Sequence, residues 1–363
     1  MWPFPDRRVH ERAFERIVVR VPNWMGDQIL ATPALDALRA RYPAARIVGH
    51  GPANAALLYE GGPWFDAFLV SRKREGARAQ ARMLRPHRFD ACLLLAGSFR
   101  TALVPFLARI PHRIGYRWSG RTPLLTAHWT RPRPGGRKAP YPTKLYFLDL
   151  VGKLGAAGGG RVTLPLTPAA AARGEEWLAR HGIDARERVL GMCVGASFGP
   201  SKLWPAESFA AVADAMQERH GMRVVVFCAP GEEPIGARVR AAAKRPLVDT
   251  GLAPLSVDTL KAVIRRCAAL LTNDTGPRHV AAAFHVPIVC VIGSTDPTYT
   301  DTDLEGTTLL REPVECSPCH LKVCPIDHRC MTRIPPERAI AALEAVLGPA
   351  PPLLRSRLFK ENP

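Results

Sequence analysis

Apolar runs that stop at polar turns recur along this chain, and the clearest example is the stretch Leu270–Gly293. Its first apolar run ends at Asn273-Asp274, and a second run extends from Pro287 to Ile292. The residues between them, Pro277–Phe284, are predicted to form a short helix, since proline fits the first helical turn. The free N–H groups of such a helix point at one place, where an anion is stabilised. An ordinary strand-to-helix turn has the same pattern, so the stretch alone leaves the function open.

The same alternation of β-branched or apolar runs with helical spacing extends over most of the chain. The predicted strands are Arg16–Val21, Arg46–Gly49, Phe89–Leu95, Ile114–Tyr116, Arg188–Cys193, Arg223–Cys228, Leu247–Asp249 and Pro287–Ile292. The predicted helices are Leu30–Tyr42, Asn54–Tyr59, Thr143–Leu154, Ala206–Arg219, Ser256–Arg266 and Pro277–Phe284. Strands that alternate with helices predict an α/β protein whose parallel sheet is covered on both faces.

Two parts of the chain interrupt this alternation. Leu124–Tyr141 is rich in Pro, Gly and Arg and is predicted to be a loop, and Gly155–Pro168 contains the predicted linker. We therefore expect two doubly wound, Rossmann-like domains that face a cleft, one over residues 1–165 and one over residues 166–363. Ligands of such sheets lie beyond the carboxyl ends of the strands, where the glycine-bearing loops of both halves fall.

The composition is that of a globular protein, with 47% hydrophobic and 23% charged residues in 363. The longest candidate for a membrane span, Ala91–Ile110, is interrupted by Arg100, so we expect no spanning helix. The amino-terminal residues are charged and lack the apolar core of a secretion signal. Five of the nine cysteines lie in apolar contexts, as reduced cysteines do, which favours a cytoplasmic location: Cys92, Cys193, Cys228, Cys267 and Cys290.

A net charge of +18 permits nucleic acid, an anionic membrane surface or an acidic substrate as partner. The chain has no basic run with interleaved aromatic residues on a recognisable nucleic-acid module. We therefore expect no nucleic-acid partner.

Several polar side chains follow predicted strands at the ligand-binding edge. Asp27 closes the turn after the first strand and is a candidate general base, although an acid in that place also caps a helix. Lys202 is a candidate phosphate ligand and Ser197 a candidate hydrogen-bond donor in the same loop, but a solvated lysine fits equally well. Glu232 is placed to accept from ribose hydroxyls, or is a surface acid. His279 lies in the first turn of the predicted helix, beside Asp274-Thr275-Gly276.

Four cysteines form a C-x2-C-x4-C-x5-C pattern within residues 316–330. They are Cys316, Cys319, Cys324 and Cys330. The first pair has the spacing of zinc ligands, whereas the second is looser than in common zinc sites. The segment is either a metal or cluster site or a reduced loop that packs its cysteines.

Six pieces in order, from about Arg16 to Leu347, resemble glycosyltransferase family 9, the ADP-heptose:lipopolysaccharide heptosyltransferases. The pieces are Asn23–Asp27 with Thr32–Leu35, Gly97–Arg100, Gly195–Lys202 with Trp204-Pro205, Asn273–Gly276 with His279–Ala283, Gly293–Pro297, and the cysteine segment that ends at Met331. Each piece is weakly specific alone, but six in this order are specific.

The resemblance implies a GT-B fold, with an acceptor-binding amino-terminal domain and a nucleotide-sugar-binding carboxyl-terminal domain. It implies an inverting transfer of heptose from ADP-heptose to Kdo-bearing lipid A, without a required cofactor, at the inner leaflet. By the family pattern, Asp27 would be the base. The donor ligands would be Ser197, Lys202, Glu232, Asp274, Thr275, Gly276 and His279, and the acceptor ligands Arg100 and Arg117.

Two departures from the family pattern affect the expected site. Leu203 stands where a basic residue is more common, and Pro277-Arg278 replaces smaller or apolar residues, which leaves the sugar preference open. Two alternatives remain at this stage. One is a glycosyltransferase of the same fold with another sugar or acceptor, and the other is a basic nucleic-acid-binding protein with a cysteine-ligated metal.

Overall fold

The computed structural model describes residue 6 and residues 8–72, 74–132, 140–300 and 306–348. The chain divides into two compact units between Pro165 and Leu166, and residues 298–300 are grouped with the first unit. Residues 349–363 at the carboxyl end lie outside the described residues, as does part of the predicted loop Leu124–Tyr141.

The first unit contains six strands and six α-helices within the described residues. The strands are β1 Arg16–Arg20, β2 Arg46–Gly51, β3 Ala67–Val70, β4 Ala91–Leu94, β5 His112–Tyr116 and β6 Ala127–Trp129. The helices are α1 Met25–Leu30, α2 Thr32–Arg41, α3 Ala53–Tyr59, α4 Ala77–Leu84, α5 Phe99–Leu107 and α6 Thr143–Gly152.

The second unit contains six strands and seven α-helices within the described residues. The strands are β7 Val189–Cys193, β8 Arg223–Phe227, β9 Val248–Asp249, β10 Ala269–Asn273, β11 Ile288–Val291 and β12 Thr307–Leu310. The helices are α7 Pro168–Arg180, α8 Ala206–His220, α9 Glu233–Ala242, α10 Val257–Arg266, α11 Gly276–Ala283, α12 Arg329–Thr332 and α13 Pro336–Leu347.

Both sheets are parallel and have the same strand order. The first runs β3-β2-β1-β4-β5-β6, and the second, read from its opposite edge, runs β9-β8-β7-β10-β11-β12. This is the doubly wound order in which successive crossovers reverse direction beside the first strand, between β1 and β4 and between β7 and β10. The prediction of an α/β protein with two doubly wound sheets is confirmed. In each sheet the ligand-binding edge lies beyond the carboxyl ends of the strands.

The central strands are apolar along their whole length because helices cover both of their faces. Val18 of β1 lies between Val48 and Cys92 in the sheet register, and all three are buried. Leu271 of β10 lies in the same way between Met192 and Val289. Of the five cysteines predicted to be buried, four are buried and Cys228 is half-buried.

The region of the predicted helix Leu30–Tyr42 contains the end of α1 and the whole of α2, which meet at Ala31. Pro33 lies in the first turn of α2, where no intrahelical hydrogen bond needs its N–H. The prediction of a continuous loop over Leu124–Tyr141 was wrong, since β6 lies within it. Strands β3 and β12 and helices α4, α7, α9, α12 and α13 were not predicted. The short edge strands carry little periodic signal, because each has only three or four residues.

Candidate functional site

At the carboxyl edge of the second sheet, the buried Asn273 at the end of β10 binds the loop between β7 and α8. Its side-chain oxygen accepts a hydrogen bond from the Trp204 N–H at 3.1 Å, and its amide nitrogen donates to the Val194 carbonyl at 2.8 Å. The indole of Trp204 is buried and donates to the Ile334 carbonyl, which fixes the end of the same loop. The loop that carries Lys202 is therefore held against the end of β10.

Asp274 is the centre of the charged cluster at this edge. Its carboxylate accepts from Lys202 Nζ at 2.5 Å and from Thr295 Oγ1 at 2.6 Å, and Arg278 lies 3.3 Å away. Burial by itself would raise the pKa of Asp274, but Arg278 and Lys202 lower it well below its ordinary range. Asp274 is therefore ionised at neutral pH and compensates one of the two neighbouring cations.

The helix that follows this cluster is α11, which begins one residue earlier than predicted. Thr275 precedes it in an extended conformation, and its side chain makes no capping hydrogen bond. Pro277 lies in the first turn and has no N–H to satisfy. The start of α11 thus adds a positive dipole end beside Lys202.

His279 lies in the first half of α11 and is 7% exposed. Burial and the neighbouring Arg278 lower its pKa to about 3, so the imidazole is neutral at physiological pH. His279 can therefore contribute a hydrogen bond at this edge but no positive charge. Arg278, which departs from the family pattern, is buried against Asp274 and the thiol of Cys290.

The remaining donor candidates lie in the loops after β7 and β8. Ser197 is exposed, whereas Glu232 is half-buried and accepts a hydrogen bond from the Ala229 N–H at 2.9 Å. Burial raises the pKa of Glu232. The Glu232 carboxylate lies directly over Gly195, where any side chain would collide with it. The glycine therefore lets the two loops approach each other.

In the first unit, Asp27 lies in the first turn of α1 and is half-buried. Its carboxylate is near enough to the phenols of Tyr59 and Tyr146 to contribute to their raised pKa values, which burial causes in the main. The next residue, Gln28, is fully buried and donates to the Pro22 carbonyl at 3.0 Å. The turn that carries Asp27 is therefore tied to the end of β1.

A cavity of about 720 Å³ opens at the carboxyl ends of β1 to β4 of the same unit. Four arginines line it, namely Arg20, Arg72, Arg74 and Arg100, and none of its thirteen described lining residues is acidic. Of the two predicted acceptor ligands, Arg100 lies in this cavity. Arg117 is exposed, lies after β5 and does not line it.

The four-cysteine segment packs on the turn that carries Lys202. Ser201 donates its N–H to the Lys322 carbonyl at 3.1 Å, and the ring of His328 lies 2.8 Å from the Ser201 carbonyl. All four cysteines of the segment line one cavity of about 60 Å³. Within the described residues, no group of three or more His, Cys, Asp or Glu side chains is arranged to hold a metal ion.

Four residues of these arrangements were missed from the sequence. Asn273, Thr295 and Arg278 belong to the Asp274 and Lys202 arrangement, and Arg20 lies at the cavity of the first unit. Thr295 had a signal, because it lies in the Gly293–Pro297 piece of the family pattern. Arg20 had none, since an arginine that ends a predicted strand is normally a surface residue.

Comparisons with known proteins identify the family and the fold of the chain. The family model described as glycosyltransferase family 9 (heptosyltransferase) matches residues 77–329. Lipopolysaccharide heptosyltransferase 2 of Escherichia coli K12 is 30% identical over 298 residues, which cover 78% of this chain and 84% of the relative.

Two solved structures share the fold. The structure of E. coli ADP-heptose LPS heptosyltransferase II superposes with a TM-score of 0.76 at 26% identity, over 94% of this chain and 99% of that one. A family 9 glycosyltransferase from Veillonella parvula superposes with a TM-score of 0.78 at 24% identity, over 92% and 97%. The family model alone spans more than half of the described sequence, and its match includes Lys202, Asp274 and the first three cysteines of the cysteine segment. The chain belongs to glycosyltransferase family 9, the heptosyltransferases.

Proposed function

We propose that this protein transfers a heptose from ADP-heptose to the Kdo- and heptose-containing inner core of lipopolysaccharide, at the second heptosyl step. The observation that carries the proposal is the cluster of Lys202, Asp274 and the start of α11, in a chain of this family. The named relatives that cover most of this chain support the second step, since they are lipopolysaccharide heptosyltransferases 2.

The second unit would bind the donor. Lys202 and the start of α11 would hold the diphosphate, which carries the negative charge of the donor. Asp274 is itself a carboxylate, so its part would be to hold Lys202 in place, while Thr275 and Gly276 offer backbone N–H groups. Glu232 and Ser197 would contact the nucleoside by hydrogen bonds, and His279 would donate one as a neutral ring.

The first unit would bind the acceptor and supply the base. In an inverting transfer, the acceptor hydroxyl oxygen attacks the anomeric carbon of heptose while the bond from that carbon to the diphosphate breaks. Asp27 would take the hydroxyl proton, and ADP would leave with the bonding electron pair, stabilised by Lys202. This chemistry requires no cofactor, because the positive charge at the leaving group comes from the protein.

The acceptor is a lipid, so we place the enzyme on the cytoplasmic face of the inner membrane. A net charge of +18 favours adsorption to an anionic leaflet. In the part of the chain that the structure describes, no helix is long and apolar enough to cross a bilayer. Surface attraction of this kind would weaken with rising salt, which a vesicle sedimentation assay measures.

The decisive test uses Asp27→Ala with ADP-heptose and Kdo-bearing lipid A that carries the first heptose. We expect the rate of product formation, followed by mass spectrometry, to fall by roughly 10²- to 10⁴-fold, since general bases contribute that much. The affinity for ADP should stay unchanged, because Asp27 lies in the other unit. Normal turnover in the variant would refute the assigned role.

The other candidate functions lead to different results in the same assay. Transfer from ADP-heptose to another glycan, or of another sugar to this acceptor, would keep the enzyme class and change only the substrate. A second proposal is that the segment binds a metal, since Cys316, Cys319, Cys324 and Cys330 line one cavity. Within the described residues these side chains are not arranged around an ion. Metal analysis of protein purified without chelator tests it.

A further inference from the structure

Helix α5 is apolar on its outer side as well as on the side that packs on the sheet. Val104 and Ala108 are buried in the core of the first unit. On the outer side, Phe99 and Phe106 are 46% and 44% exposed, and Leu103 between them is half-buried. A spacing of four and then three residues places these three side chains on one face. A helix that is apolar all round is normally buried, whereas this one leaves an apolar row in water.

Helix α4 packs against α5 and presents a row of arginines on its own outer side. Arg78 and Arg82 lie in α4 and Arg85 directly follows it, and all three are exposed. They have the same spacing of four and then three residues. The guanidinium of Arg85 donates to the Leu107 carbonyl at 2.9 Å, which joins the arginine row to the end of α5. We call the outer side of the two helices the α4–α5 surface, formed by Arg78, Arg82, Arg85, Phe99, Leu103 and Phe106.

The positive charge of this surface has little compensation from the chain around it. From Gly76 to Tyr116 the sequence contains seven arginines and one acid, Asp90. The Asp90 carboxylate accepts the backbone N–H groups of Glu15 and Arg16, at 2.8 and 3.2 Å. Because Arg16 begins β1, this acid lies at the amino edge of the sheet and not on the outer side of the helices.

An apolar row beside a basic row fits the boundary between the headgroups and the acyl chains of an anionic bilayer. Phenylalanine and leucine side chains are buried at that depth, while arginines extend to the lipid phosphates. A second copy of the same surface is a poorer partner, because it would bring arginines against arginines. The charge of the α4–α5 surface therefore favours a bilayer over self-association.

The position of α5 connects this surface with the proposed reaction. Phe99 begins α5 after the loop that follows β4, and β4 lies next to β1, whose following turn carries Asp27. The apolar row therefore starts at the edge of the first sheet where the acceptor hydroxyl would react. A bilayer that contacts the α4–α5 surface would hold a lipid-anchored sugar close to that edge.

We propose that the α4–α5 surface docks this protein on an anionic bilayer. Its apolar row enters the headgroup region, and its arginines contact the lipid phosphates. The inference rests on the proposed function, since a lipid acceptor is what brings the enzyme to a membrane. It assigns to one surface an attraction that the net charge gives only to the protein as a whole, and the residues of this surface have no part in the transfer itself.

Sedimentation of the full chain with vesicles tests the apolar row, without donor or acceptor. The vesicles contain equal parts of phosphatidylethanolamine and phosphatidylglycerol. Phe99→Ser/Phe106→Ser should lower the partition coefficient about tenfold, because two half-exposed rings lose their burial in the bilayer. The matched control is Leu252→Ser, which removes a side chain that is 74% exposed in the second unit and should bind as wild type.

Arg78→Gln/Arg82→Gln tests the basic row in the same assay. The partition coefficient should fall about tenfold or more at low salt, because both arginines lose their attraction to lipid phosphates. The difference from wild type should shrink as salt rises. Arg85 is kept, since it bonds to the end of α5. The matched control Arg238→Gln/Arg245→Gln removes two exposed arginines from the second unit and should bind nearly as wild type.

Several results would overturn the proposal. One is vesicle binding equal to wild type in both surface variants, and another is an equal loss in the controls, which would assign the attraction to net charge alone. If sedimentation velocity showed a wild-type dimer and a monomeric phenylalanine variant, the surface would be an interface between copies instead. The arginine variant changes only exposed side chains, so it keeps the test informative if the serine variant fails to fold.

Failure of the proposed function gives a different result from failure of the docking surface. Phe106→Ser should transfer heptose to a soluble, deacylated acceptor as wild type does, because Phe106 lies about two helical turns from the carboxyl edge. Its transfer to the acceptor in vesicles should be slower. Wild-type protein that docks through this surface but makes no heptosylated product would refute the transfer and keep the docking. Wild-type protein that transfers heptose while all variants bind vesicles normally would keep the transfer and refute the docking.

Discussion

The two units use the same strand order but treat charge at their ligand-binding edges in opposite ways. In the second unit, Lys202 and Arg278 lie around the ionised Asp274, within 2.5 and 3.3 Å of it. In the first, four arginines line a cavity whose described lining includes no acid, and the hydrogen bonds of the most buried of them, Arg20, go to neutral groups within the described residues. In the second unit the protein's own carboxylate balances much of the positive charge at the edge. In the first unit the described residues leave the positive charge at the edge unbalanced.

Under the proposed function, this difference would give two kinds of anion recognition on one scaffold. At the compensated edge, the Asp274 carboxylate holds Lys202 in one orientation before a ligand binds. The two cations and the one carboxylate leave a small net positive charge there. At the uncompensated edge, the protein bears the cost of a buried cation and recovers it when an anion binds. The second arrangement favours discrimination against neutral analogues, because a ligand without the anion leaves the cost in place.

We expect the largest effect, a loss of stability, from Asp274→Asn, which removes the carboxylate of the compensated edge. Loss of the carboxylate removes the counter-charge of Lys202 and Arg278, and breaking a buried ion pair costs about 3–5 kcal/mol. Denaturant titration of the full chain at pH 7 should show this loss. The control Glu218→Gln removes an exposed acid 3.9 Å from Arg245, where less than about 1 kcal/mol is expected. Equal stabilities of Asp274→Asn and wild type would contradict the compensation.

The pH dependence of this contribution has a definite sign. The folded-state pKa of Asp274 is lowered below its ordinary value of 3.8, so the carboxylate stabilises the folded state above about pH 4. The contribution is lost as pH falls through the lower folded-state pKa. The stability difference between wild type and Asp274→Asn should therefore be constant from pH 5 to pH 8 and shrink only in stronger acid.

A smaller effect is expected from Lys202→Ala, which removes the cation and keeps the pair of Asp274 with Arg278. Calorimetric affinity for ADP-heptose should fall by about 1.5–3 kcal/mol, roughly tenfold to over a hundredfold, because the lost hydrogen bond is to a charged group. The exposed Lys244 of the same unit provides the control, as Lys244→Ala should bind normally. Unchanged donor affinity in Lys202→Ala would remove the diphosphate contact from the proposal.

The smallest effect concerns Glu232, whose pKa burial raises above its ordinary value of 4.5. If its carboxylate accepts from the donor ribose, affinity for ADP should weaken a few-fold as pH falls through this raised pKa. Glu232→Gln should abolish that dependence, whereas Glu233→Gln should keep it. The neighbouring Glu233 is a matched control, because its pKa is lowered by the Gly231 N–H. A pH profile that is the same in Glu232→Gln would contradict the contact.

Much of the fold could be predicted, since central strands of a parallel sheet are apolar throughout and end at polar turns. The short strands β3, β6 and β12 could not, because pairing with a neighbour rather than their own pattern makes them strands. Among the site residues, Lys202 and Asp274 were both predicted as donor ligands, but their contact with each other was not predicted. Arg117 and Arg100 were named together, and only Arg100 lies in the cavity.

The sequence by itself determined the alternation of elements, the loops that end at the two ligand-binding edges and the family pattern along them. Only the tertiary structure decided which charges meet. Lys202 and Asp274 are 72 residues apart and are brought together because β7 and β10 are neighbours in the sheet. Lys202 has a carboxylate beside it, whereas the described partners of the buried Arg20 are neutral. This difference depends on what packs around each side chain and cannot be read from the local sequence.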